Sequence, residues 1–152
     1  MKLLFSAIAL TALASAAWAD SKPWDRAEQD GAIYAGTIDD WKQSVEVFCP
    51  VTGNAQLVVQ SPQFRVSMPD DRKYALTFVT SAGRDEIVAV SKDAELHYEA
   101  ADLNAKIALQ RLVQDIGNSK TFTVAVSPFG WKSEFTAEGA ATALAGLLDH
   151  CS

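Results

Sequence analysis

Histidine, cysteine and methionine each occur only twice in these 152 residues. So few side chains of this kind leave little with which to build a metal cage or a histidine-driven acid–base site. The chain has no G-x-S-x-G elbow, no H-E-x-x-H pair, no phosphate-cradling G-x-x-x-x-G-K and no G-x-G-x-x-G, which removes the commonest hydrolase, metalloprotease and nucleotide-binding signatures. There is no run of Lys and Arg, and the formal net charge is −6. Such a field repels phosphate backbones and anionic membrane surfaces, so nucleic acid is not expected as a partner. No internal repeat, low-complexity tract or linker interrupts the chain. With 49% apolar and 21% charged residues, the composition is that of an ordinary globular domain.

The one long apolar run lies at the start. Lys2 precedes an apolar stretch over residues 3–14, broken only by Ser6 and Thr11, and Ala17-Trp18-Ala19 places small residues at the two positions a signal peptidase inspects. This pattern predicts a signal peptide over residues 1–19, cleaved before Asp20. The run is short for a membrane span, so no stable membrane insertion is expected after cleavage. The expected location is periplasmic or secreted. Loss of Lys2 makes the remaining chain one unit more negative, a field that favours a basic protein or cationic ligand.

An exported chain with two cysteines is expected to pair them. Cys49 ends a strand-like run over residues 44–49, and Cys151 follows a helical pattern on the face shared by Leu144, Leu147 and Leu148. A catalytic thiol would need a base. His150 adjoins Cys151 in sequence, but neighbours on a helix point about 100° apart. A Cys49–Cys151 bond would close a loop of about a hundred residues and contribute roughly 4–5 kcal/mol in the chain-entropy model.

Residues 20–40 show no clear period and carry Pro23, Gly31, Gly36 and many carboxylates. They read as an N-terminal arm, extended or with a short helix, lying over the body. Residues 41–152 then form a single domain. Its pattern begins with period two: candidate strands over 44–49 and 55–60, joined by a hairpin loop at 50–54, then 64–68, 74–81, 87–90 and 94–98. Asp102 caps a helix running to Ile116, with Gly117 where a left-handed terminator belongs. Ala105, Leu109, Leu112, Val113 and Ile116 form its inner stripe. A strand over 121–127 connects tightly through Pro128-Phe129-Gly130 to another over 131–135. Thr136 then caps a last helix, with Glu138 in its first turn and Ala140, Leu144, Leu147 and Leu148 inward. The fold class expected is α+β: a mainly antiparallel, sandwich-like sheet with two helices, the last tied by the disulfide.

Three candidate sites remain. Glu95, His97 and Glu99 would share one face of a strand, an arrangement able to ligate a metal. A solvated polar face opposite Leu96 and Tyr98 explains them equally, and neither metal nor cofactor is expected. Phe129 and Trp131 flank a turn and are candidate binding anchors; large rings usually bury, so both are expected to fold back on the sheet. Leu103 and Ile107 form a second apolar surface on the long helix. The arm, with Trp24, Ile33 and Tyr34, is expected to cover it; otherwise it is a docking surface. The acid pairs Asp39-Asp40 and Asp70-Asp71 fall in expected loops, where aspartates serve turns and caps.

The pattern Phe135-x-x-x-Gly139 followed by Ala143-Leu144-x-x-Leu147-x-x-x-Cys151 resembles the ending of small exported proteobacterial proteins, among them the invasion-associated locus B family and related domains of unknown function. Trp41 and Cys49 correspond in this likeness to that family's early Trp and Cys, although the family usually has more cysteines. The resemblance implies an envelope compartment, a sandwich-like fold and a partner in the envelope or host, and brings no catalytic residue with it. The leading expectation is a small secreted or periplasmic, non-catalytic binding protein acting through a sheet face or loop. Alternatives are a cell-wall or glycan hydrolase using dispersed carboxylates, an inhibitor of a basic hydrolase such as a lysozyme, and a structural envelope protein.

Overall fold

Two residues, Asp30 and Gly31, both with positive φ (52° and 82°), join β1 (Asp25–Gln29) to β2 (Ala32–Ile38). This is the turn geometry that matches the twist of a two-residue hairpin. The computed structural model describes residues 21–151; the signal peptide expected over residues 1–19 lies outside the described residues. The chain continues through β3 (Ser44–Cys49), β4 (Gln56–Gln60), a helical turn α1 (Phe64–Ser67), β5 (Lys73–Thr80), β6 (Gly83–Lys92), β7 (Glu95–Glu99), α2 (Leu103–Gly117), β8 (Thr121–Ser127), β9 (Trp131–Thr136) and α3 (Ala140–Leu144), ending in a 3₁₀ turn at Leu148–His150.

The nine strands form one sheet in the order β1-β2-β3-β4-β7-β6-β5-β8-β9. Every neighbouring pair is antiparallel. Alternation decides the faces. In β3, Val45, Val47 and Cys49 are buried while Ser44, Glu46 and Phe48 turn outward. The buried set continues across the sheet through Leu57, Val59, Leu96, Leu76, Phe78, Val124 and Phe135 into one core. The sheet curls until its ends meet. Trp24 N–H donates to the Glu138 carbonyl at 2.8 Å, and Thr136 N–H donates to Ser21 Oγ at 2.6 Å. Opposite halves of one sheet therefore face each other across a shared core, in sandwich fashion. The class is α+β, and the Cys49–Cys151 disulfide, with Cα atoms 5.2 Å apart, fastens the C-terminal segment to β3.

The helix α2 starts as its sequence requires: the Asp102 carboxylate accepts from the Ala105 N–H at 2.8 Å. Leu109, Leu112 and Ile116 are buried, and Ala105 and Val113 pack at the margin. Its end differs from expectation. Gly117 is the last helical residue and Asn118 is the cap. The glycine packs on α3, where a Cβ would lie in ordinary contact, 3.4 Å from Ala141 Cα.

Three other expectations are corrected. Residues 25–38 are not an arm over the body but the hairpin β1–β2 at one end of the sheet. Residues 64–67 are helical rather than extended: Phe64 and Met68 are buried while Val66 is 87% exposed, a spacing of four that belongs to a helical turn. The last helix is only five residues long, without a Thr136 cap. Thr136 ends β9, and its Oγ1 accepts from Glu138 N–H at 3.1 Å. Gly146, at φ 64°, breaks the helical run before Leu147, which is nevertheless fully buried.

Candidate functional site

The two aromatic anchors suggested by the turn after β8 are not free. Trp131 is buried and meets Phe64 edge-on at 5.3 Å. Phe129 is half-buried and meets the same ring at 5.6 Å. Phe64 thus fills the space between them, and both rings belong to the core margin rather than to a docking surface.

Leu103 and Ile107 are 72% and 55% exposed. The expected cover does not form. Trp24 packs into the core, 6.1 Å from Phe122, and Tyr34 stacks on Phe48 at 4.9 Å. The sheet claims these residues before α2 can.

The polar row of β7 does not converge as a metal site. His97 Nε2 lies 3.1 Å from Glu95 Oε2, and its Nδ1 lies 3.3 Å from Gln56 Oε1 on β4. Glu99 is drawn away, accepting from Asn54 Nδ2 at 2.9 Å. Among the described residues no group of three His, Cys, Asp or Glu side chains is placed to hold a metal ion.

The exposed ring at a turn is Trp41. It sits at the tip of the β2–β3 hairpin and is 72% exposed. The tip is built on Asp39, which is buried. Asp39 Oδ1 accepts from the Gln43 N–H at 2.8 Å. The Asp39 N–H donates to the Gln43 carbonyl at 2.9 Å, and the Lys42 N–H donates to the Asp39 carbonyl at 3.1 Å. Side-chain closure of this kind is how aspartate organises a turn. The Trp41 ring is therefore carried on a tip whose backbone is already ordered.

Ile38, at the base of this hairpin, lines a groove of about 520 Å³ on the outer face of β1, β2 and β3, together with Lys22, Asp25, Tyr34, Glu46 and Gln60. Gly36 gives Glu46 its place, since a Cβ at Gly36 would lie 2.9 Å from Glu46 Cγ. Burial against this floor pushes the Glu46 carboxyl above the ordinary range, and the negative charge of Glu95 adds to the shift. A second depression of about 380 Å³ lies around Val88, Val90 and His97. A smaller cavity of about 180 Å³ lies beside the disulfide, between Lys106 and Leu109 of α2 and Leu148, Asp149 and Cys151. Tyr98, which lines the depression with Val88, Val90 and His97, donates its Oη–H to the Ala105 carbonyl at 3.2 Å. Burial and the charge of Asp102 raise that phenol above its usual value.

Sequence reasoning did not single out Trp41 for its exposure, nor Glu46. The available signal was local: Trp41 lies in Asp39-Asp40-Trp41-Lys42, where polar neighbours leave no apolar face to bury a ring. Glu46 carried none, because its setting depends on Gly36 of the paired strand. No protein-family model, no curated protein and no solved structure matches this chain.

Proposed function

We propose that this is a small exported, non-catalytic binding protein that grips a basic protein partner through Trp41 and the groove beside its hairpin. The observation that carries the reading is the exposed indole of Trp41 on a hairpin tip closed by Asp39. A large ring held at a preordered turn offers contact area at little entropic cost. An indole face also attracts Arg and Lys. The carboxylates Asp25 and Glu46 in the adjoining groove and the net charge of −6 favour the same class of partner.

Inhibition of a basic hydrolase such as a lysozyme is one form of this function. The likeness of the chain's two ends to the invasion-associated locus B family agrees with an envelope or host-facing role. The hydrolase alternative needs two carboxylates set across a cleft at a fixed separation. Asp25 is instead engaged at the strand edge, its Oδ1 accepting from the Arg26 N–H at 2.8 Å.

The test is capture of lysozyme as a basic probe by immobilised protein at low salt. Wild type is expected to retain it. Trp41→Ala is expected to weaken retention at least tenfold, in the range of an interface anchor, with an unchanged melting temperature. Val66→Asp, on the exposed side of α1 and outside the groove lining, should retain the probe. Equal retention by Trp41→Ala and wild type would overturn the reading, as would glycan cleavage that depends on Glu46.

A further inference from the structure

The outer edge of β1, beyond the seam where Trp24 bonds to Glu138, has a self-complementary order of charge. Its residues read Asp25-Arg26-Ala27-Glu28-Gln29, all exposed, and among the described residues β2 is its only strand neighbour, since β1 stands at the end of the sheet. The hairpin fixes which groups face outward. Gln29 pairs with Ala32 across the two-residue turn, and Ala27 and Asp25 pair with Tyr34 and Gly36. In an antiparallel ladder, hydrogen-bonded pairs alternate with non-bonded ones. Gln29, Ala27 and Asp25 therefore direct their backbone groups to β2, while Arg26 and Glu28 direct theirs away from the sheet. Trp24, two residues earlier, shows this parity, with its N–H turned from β2 to Glu138.

We infer that this edge pairs with the same edge of a second copy of the chain, antiparallel and centred on Ala27. A two-fold axis there sets Ala27 against Ala27 and Arg26 against Glu28, twice. These are also the residues whose N–H and C=O groups point outward. One register thus satisfies both backbone parity and charge, and a shift by one residue in either strand loses both. Each contact between copies is the same surface meeting itself, so the assembly closes as a dimer.

Charged residues on an edge strand ordinarily guard it against pairing. One such guard is present, the Asp25 carboxylate on the Arg26 N–H. Pairing exchanges that contact for the Glu28 carbonyl of the second copy. The charges themselves oppose in the paired register rather than repel. The short strand and the net negative charge of each copy keep this a weak, concentration-dependent dimer.

The experiment is sedimentation equilibrium of the purified, oxidised protein over rising concentration. Wild type is expected to pass from monomer to dimer. Arg26→Glu and Glu28→Arg each set like charges opposite one another twice, and each should weaken the dimer roughly tenfold. The double exchange, Arg26→Glu with Glu28→Arg, restores opposite pairs and should recover wild-type association. Arg26 also donates to the Ala145 carbonyl at 2.9 Å; should Arg26→Glu fold poorly, Glu28→Arg carries the test alone. A wild-type protein that stays monomeric overturns the inference. So does a dimer indifferent to Glu28→Arg, or a double exchange no better than the single variants.

Discussion

The indole Nε1–H of Trp24 donates to the carbonyl of Thr136 at 3.0 Å, across 112 positions of sequence. With the Trp24 backbone bond to Glu138, it closes the curled sheet where its two ends meet. Trp24→Phe keeps most of the ring and leaves the Thr136 carbonyl without its donor, at a cost of about 1–3 kcal/mol. Trp24→Ala also leaves a cavity and should cost about 3–5 kcal/mol. Urea melts of the two variants check this ordering. Removing residues 20–36 takes away β1 and much of β2, so that truncated chain is expected not to give a cooperative transition.

Cys49 and Cys151 are 102 positions apart and bonded. A loop of that length is worth roughly 4–5 kcal/mol through the unfolded state. Reduction should therefore lower the melting temperature by many degrees. Cys151→Ser should reproduce the effect, and a midpoint indifferent to reductant would contradict it.

The exposed side of α2 gives a prediction of no effect. Ile107→Asp and Leu103→Asp replace side chains already in water and should change stability by no more than about 0.5 kcal/mol. Leu109→Ala, on the buried side of the same helix, should cost about 2–5 kcal/mol. Thermal melts of the three variants separate the two faces.

Glu46 makes stability depend on pH in a definite direction. Its carboxyl is raised by burial first and by Glu95 second, so the folded state holds the proton more tightly than the unfolded chain. The stabilising contribution of the protonated group is complete below the unfolded value of about 4.5 and is lost as pH rises through the folded value. Glu46→Gln removes this dependence. Its melting temperature should exceed that of wild type near neutral pH, and the difference should shrink toward zero on acidification. A difference that stays constant with pH would contradict the assignment.

Much of the fold was legible wherever one face of an element is buried and the other is wet. Residues 44–49 alternate because β3 covers the core with every second side chain, and in β5 Tyr74, Leu76 and Phe78 do the same, with Thr77 also buried. The helix from Asp102 was legible because its cap and its stripe agree. The β1 strand was not, because all five residues are exposed and no alternation is written into Asp25-Arg26-Ala27-Glu28-Gln29. The turn at Phe64 was misread because two buried residues four apart, Phe64 and Met68, fit a helical turn better than the strand suggested by Phe64-Arg65-Val66.

The same division holds for the candidate site. The period of each strongly amphipathic element, the acidic charge and the one possible pairing of the two cysteines follow from residue order, because they depend on neighbours along the chain or on simple counting. Which aromatic rings reach water is set by packing between distant elements. Phe129 lies in the Pro128-Phe129-Gly130 turn and Trp131 follows it, and Phe64, more than sixty positions away, draws both inward. Trp41 stays out because Asp39 closes its turn and, among the described residues, no distant element buries it. Burial of a ring is settled by what packs against it from elsewhere in the fold, and local sequence does not carry that information.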